Sequence, residues 1–133
     1  MKISLLALIP ILLIGISCSS QSEKLKGTWE LERYQEYGKW NGELKLEDDV
    51  SDFYETEYWK FDNDSLYKLN AKKRREDAEK YVIEGDTIWY KYWEMTDKYF
   101  DFFEIIKITD EHLELKTESK RKVNYYYLRR EDD

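Results

Sequence analysis

One histidine, one cysteine and a surplus of carboxylates are the chain's main stock of reactive side chains. His112 stands beside Asp110 and Glu111 in a stretch that reads as a turn, where a histidine is expected to be solvated rather than to act as a general acid or base. No Ser or Thr has a histidine placed to activate it, and there is no Gly-rich phosphate loop and no Cys/His metal spacing. Two acidic stretches, Glu47-Asp48-Asp49 with Asp52 and Asp62-Asn63-Asp64, offer the oxygens calcium wants. Neither has an EF-hand glycine and closing glutamate at the required offsets, so a solvated loop and an Asx turn are expected. Lys72-Lys73-Arg74-Arg75 is a basic run in an acidic chain. Near a membrane such charges attract anionic headgroups by about 1 kcal/mol each, but Glu76, Asp77 and Glu79 cancel much of that field. No catalytic residue, metal or cofactor is expected, and the chain does not read as an enzyme.

Cys18 is the remaining nucleophile. It ends a segment that opens with Lys2 and runs apolar from Ile3 to Ile16. The run is shorter than the roughly 20 residues that cross a bilayer, so it reads as a secretory signal. A single cysteine there resembles the bacterial lipoprotein signal. The resemblance implies that residues 1–17 are removed as a signal-peptide helix. Cys18 is then lipidated and becomes the membrane anchor, 18–25 form a flexible tether, and 26–133 form the domain. Ser19 is similar to the residue that accompanies outer-membrane sorting, and Glu23 alone answers to the acidic stretch of surface-exported relatives. A lipid-anchored protein of the outer membrane, facing the periplasm, is the expectation. The alternative is an unlipidated Cys18 in an ordinary signal segment.

Removing residues 1–17 leaves 116 residues, enough for one domain with a modest core. Lys2 is the only charge lost, so 21 basic residues face 29 acidic ones and the net charge is −8. That balance argues against a nucleic-acid partner. The mean hydropathy, −0.85, raises the question of disorder, but 17% aromatic residues answer it. With the only cysteine claimed by the signal, no disulfide staples the fold.

From Lys26 onward the dominant pattern is alternation, the period of a half-buried strand. Eight strands are expected: Gly27–Tyr37, Phe53–Phe61, Leu66–Leu69, Lys80–Glu84, Thr87–Trp93, Tyr99–Ile108, Leu113–Glu118 and Val123–Arg130. Gly38–Val50 reads as a long connection, and Ala71–Glu79 as a helical turn or a charged hairpin end. Asp62–Ser65 and Gly85-Asp86 supply turn chemistry. An all-β fold follows, a small up-and-down antiparallel barrel or a sandwich. The barrel suits a small domain better, because it leaves no exposed edge.

Gly27-Thr28-Trp29 at the start of the first strand resembles the opening Gly-x-Trp of lipocalins, and its place after a lipoprotein cysteine is similar to small lipocalin-like lipoproteins of Bacteroidetes-type bacteria. Trp59–Ser65, Tyr81–Ile88, Ile108–Leu115 and Tyr125–Arg130 resemble later steps of that family. The resemblance implies that Trp29 closes one end of the barrel under a basic residue of the last strand, with Arg130 favoured over Arg129. A long C-terminal helix of the kind larger lipocalins carry has no counterpart here.

The aromatic residues exceed what a minimal core needs. One reading is a cavity for a small apolar or amphipathic ligand. Its interior walls would include Trp29, Leu31, Phe53, Trp59, Phe61, Trp89, Phe102 and Tyr125, with Glu55 and Glu57 as buried acids in the register of Phe53 and Trp59. The other reading is a filled barrel acting as an interaction or envelope-structural module, with Tyr34, Tyr37 and Trp40 as its contact patch.

Overall fold

Short alternating stretches joined by tight turns form a continuous antiparallel meander in the computed structural model, which describes residues 21–131. The signal segment and Cys18 lie outside the described residues. After a one-turn helix, α1 (Gln21–Leu25), come β1 (Gly27–Trp40), β2 (Glu43–Val50), β3 (Tyr58–Phe61), β4 (Ser65–Leu69) and β5 (Arg75–Lys80). Then follow β6 (Val82–Glu84), β7 (Thr87–Trp93), β8 (Lys98–Ile108), β9 (His112–Glu118) and β10 (Lys122–Arg130). The helix occupies residues 21–25 of the stretch expected to be a flexible tether, and residues 18–20 lie outside the described residues.

The strands lie in the order β5-β4-β3-β1-β10-β9-β8-β7-β6, and β2 adds to β1 off this path. The sheet curls into a nearly closed barrel whose two ends, β5 and β6, are joined through Tyr81 alone. β5 packs near β7 without a ladder between them. The all-β barrel expected from alternation is present, with ten strands instead of eight.

Both additional strands lack a period-two apolar signal. β2 is exposed along nearly its whole length, so no buried face patterns it; a two-residue turn, Asn41-Gly42, makes it. Both residues have positive φ, 50° and 83°, as a type I′ hairpin demands. β5 (REDAEK) is exposed except at Ala78 and Glu79, and its ladder to β4 (Ser65↔Lys80 through Leu69↔Arg75) defines it. Conversely, residues 51–57 form a loop rather than the start of a strand.

The core runs through the barrel: Trp29 and Leu31 from β1, Trp59 and Phe61 from β3, Phe103 and Ile105 from β8, and Leu113 and Leu115 from β9, with Leu25 of α1 plugging one end. A bulge between Leu31 and Arg33 reverses the facing of β1. Beyond it Tyr34 turns toward Tyr126, ring centres 5.2 Å apart. Arg33, Gln35 and Tyr37 take the other face with Tyr127, Tyr125 and Val123.

Candidate functional site at the open end of the barrel

The two ends of the barrel differ. At one end α1 and the turns 62–64, 85–86 and 109–111 meet; at the other lie the turns 70–74, 94–97 and 119–121. The first end is shut. Trp29 is fully buried and its Nε1 donates to the Leu25 carbonyl at 2.9 Å. The Arg130 guanidinium lies 4.1 Å from the centre of the Trp29 ring. It also donates to the carbonyls of Asp110 and Lys26, each at 2.7 Å, and to that of Lys24. Gly27 makes room for this: its φ is +123°, and a Cβ there would stand 2.5 Å from Arg130 Nη1. Glycine is thus needed twice over, for its dihedral and for its missing side chain.

Above this plug the interior is filled with rings. Trp59 packs against Phe103 (5.5 Å) and Tyr126 (5.2 Å), and Tyr90 stacks on Phe103 at 4.4 Å with planes 10° apart. Burial pushes the Tyr126 hydroxyl up to about 12, with Tyr34 adding to it. Burial, then Asp101, raises Tyr90 well above the ordinary phenol value. Among buried side-chain polar atoms of the described residues, Trp59 Nε1 has no hydrogen-bond partner.

A groove of about 700 Å³ lies at the open end, where β5 meets the β7–β8 hairpin. Tyr92 and Trp93 on one arm and Tyr99 and Phe100 on the other wall it, with Glu79, Lys91 and Lys98 at its rim. The hairpin outruns the core, so these rings are not consumed by packing. Trp93 is 53% and Phe100 65% exposed. Tyr92 and Tyr99 lie with ring centres 4.9 Å apart. The Tyr92 hydroxyl is bonded to Asp97, which raises its pKa, and Lys91 pairs with Asp101 at 3.2 Å.

Of the ligand-wall residues expected from sequence, Trp29, Leu31, Trp59 and Phe61 lie in the core, where they pack against neighbours. Phe53 is half-buried and packs on the core from the 51–57 loop. Glu57 is half-buried in the same loop, and its carbonyl accepts the Leu31 N–H at 3.0 Å. Four expectations are corrected. Glu55 is exposed, because its segment is a loop with no strand register. Trp89 and Phe102 face each other on the outside, ring centres 5.0 Å apart, because Ile88 and Phe103 take the inward positions of the same ladder. Tyr125 sits opposite Gln35 and edge-on to Tyr37, while Tyr126 turns inward.

The groove residues were not predicted as a site. Their signal is two aromatic pairs, Tyr92-Trp93 and Tyr99-Phe100, flanking the 94–97 turn, with Tyr92 opposite Tyr99. His112 is exposed, its N–H bonded to Thr109 Oγ1 at 2.9 Å. Asp49 is held by Arg33 through two bonds of 2.9 and 2.7 Å, and the Asp62 carboxylate accepts the Asn63 N–H at 3.0 Å. Among the described residues no group of three His, Cys, Asp or Glu is placed to hold a metal.

The profile of the lipocalin-like domain matches residues 25–115, from the buried leucine of α1 into β9. The chain belongs to the lipocalin-like domain family. Among solved structures, this lipocalin-like chain is similar to a lipocalin-like protein from Bacteroides uniformis ATCC 8492, at 16% identity and a TM-score of 0.49, covering 81% of this chain and 99% of that one. No curated protein sequence matches it.

Proposed function

We propose that this lipocalin-like barrel binds a small apolar or amphipathic molecule in the groove at its open end, on a chain tethered to a membrane through lipidated Cys18. The observation that carries the reading is the four-aromatic groove of about 700 Å³. Its size lies within the 300–1,000 Å³ range of small-molecule sites, and its build of apolar walls with a few polar rim groups is theirs too. The packed interior argues against a ligand deep in the barrel. The lysines and Glu79 suit a ligand with a polar end held near the rim. The tether is supported by the short apolar run and the single cysteine that ends it. It goes with the outer membrane, facing the periplasm, as the address.

Anilinonaphthalene sulfonate, an amphipathic fluorescent probe, tests the groove. The parent protein is expected to enhance its emission saturably, and Trp93→Ala or Phe100→Ala to weaken binding by about tenfold, the equivalent of roughly 1.4 kcal/mol. Both side chains are half exposed or more, so the fold tolerates their loss. Equal affinity in all three proteins refutes the assignment.

A second reading, an interaction module, draws on one observation. The β1–β2 ribbon presents Trp40, Leu44 and Leu46, each more than half exposed.

A further inference from the structure

Lys91 stands within β7 with a φ of +57°. Few side chains other than glycine, asparagine and aspartate take up this left-handed conformation, and a strand calls for the extended one. The β7–β8 ladder carries the break. It runs through Ile88↔Phe103, Trp89↔Phe102 and Tyr90↔Asp101, omits Lys91 and Phe100, and resumes at Tyr92↔Tyr99 and Trp93↔Lys98. The register is the same on both sides of the gap, so no residue has been inserted. What changes is the direction of the hairpin, because a left-handed residue interrupts the alternation of facing and adds twist.

The break falls where the role of the hairpin changes. Below it, Ile88 and Phe103 pack into the core. Above it, Tyr92, Trp93, Tyr99 and Phe100 wall the groove. A regular strand turns neighbouring side chains to opposite faces. Yet Lys91, Tyr92 and Trp93 border one groove, and so do Lys98, Tyr99 and Phe100. The strained residue is also held. Its Nζ pairs with Asp101 at 3.2 Å and lies 5.6 Å from the centre of the Tyr90 ring. Both partners belong to the ladder pair just below the break. Backbone strain that its surroundings over-determine in this way gathers at ligand clamps and other functional sites.

We propose that Lys91 is a positioning residue of the groove: its left-handed backbone turns the outer hairpin so that Tyr92 and Tyr99, with Trp93 and Phe100, face a common ligand. This rests on the groove reading above and deepens it by naming what sets the geometry of the walls. The backbone of Lys91 supplies the turn, and its side chain ties that turn to the base of the hairpin. The walls therefore stand before ligand arrives, which spares the ligand the cost of ordering them.

The probe for the test is N-phenyl-1-naphthylamine, an uncharged apolar fluorophore, so attraction of an ammonium for an anionic probe does not enter. Lys91→Asn and Lys91→Val both remove the ammonium. They differ in that asparagine tolerates a left-handed φ and β-branched valine resists it. Lys91→Asn is expected to bind the probe about tenfold more tightly than Lys91→Val. It is also expected to keep the nuclear Overhauser contacts between the Tyr92 and Tyr99 rings, whose centres are 4.9 Å apart, while Lys91→Val loses them. The Trp59–Phe103 contact of the core is expected in both variants, which separates a turned hairpin from a general loss of structure. Should Lys91→Val not fold, Lys91→Leu takes its place, being disfavoured at positive φ without the branch. Equal affinity in the two variants overturns the positioning role while Trp93→Ala, binding more weakly than the parent, still reports the groove. Trp93→Ala binding as tightly as the parent refutes the groove itself, and the positioning role with it.

Discussion

Arg130 and Trp29 sit opposite each other in the β1–β10 ladder, and the guanidinium stacks on the indole with Cζ 4.1 Å from the ring centre. The same two side chains receive three consecutive carbonyls at the end of α1: Lys24 and Lys26 bond to Arg130, and Leu25 to Trp29. These are groups that a helix end leaves without partners. Arg130→Lys keeps the charge but loses the planar fork that serves several acceptors and the ring at once. A loss of about 2 kcal/mol is expected, read as a lower urea midpoint at unchanged slope. Gly27→Ala is expected to cost as much, by straining a φ of +123° and pushing the guanidinium off the ring.

Alkaline pH should unfold the barrel through its buried phenols. Burial lifts Tyr81 and Tyr126 each to about 12 in the fold, against about 10 in the unfolded chain. A raised folded pKa means that the unfolded chain releases its protons first. This contribution to stability is whole below pH 10 and falls away as pH rises from 10 to 12. Phenolate absorbance is expected to show a delayed class of tyrosines in the native protein, merging with the rest in denaturant. Tyr81 also donates its hydroxyl to the Asp62 carbonyl, so Tyr81→Phe should remove one delayed group and cost about 1 kcal/mol.

The β1–β2 hairpin should melt without the barrel. Gly42 has a φ of +83°, which a β-branched residue resists. β2 is held by its ladder to β1 and by the Arg33–Asp49 pair, with almost no buried apolar surface. Gly42→Val is expected to abolish hydrogen-exchange protection over 43–50, while β8–β10 keep theirs. Simultaneous loss in both regions would mean that the ribbon and barrel are one cooperative unit.

These contrasts explain what could be read from the sequence. Trp29 and Arg130 were legible through the resemblance of Gly27-x-Trp29 to the lipocalin opening motif, and the structure shows its physical basis in the Gly27 dihedral, the space it leaves and the Leu25 carbonyl that Trp29 bonds. Ile88 versus Trp89, and Tyr126 versus Tyr125, were not. Both members of each pair are large and apolar, so alternation names a strand without naming its inner face. Bulges such as the one at Leu31/Arg33 move that face again. β5 was hidden because its side chains bury almost nothing, and the groove because its aromatics lie beyond the core on a hairpin whose length no local pattern reports.

Trp29 and Trp59 are both buried to within 1% of complete exclusion from solvent, yet their indole N–H groups differ. That of Trp29 bonds the Leu25 carbonyl at 2.9 Å, and that of Trp59 has no partner. Replacing either by Phe removes similar ring volume and leaves a similar void. At position 29 it also removes a made hydrogen bond and orphans a carbonyl. At position 59 it removes an N–H whose unpaired burial costs about 1–3 kcal/mol. Trp29→Phe is therefore expected to destabilise the barrel by about 2 kcal/mol more than Trp59→Phe, measured by urea denaturation on the two variants and the parent. Equal losses would mean that Trp59 Nε1 finds a partner in solution, and an ordered water beside it would be the first thing to seek.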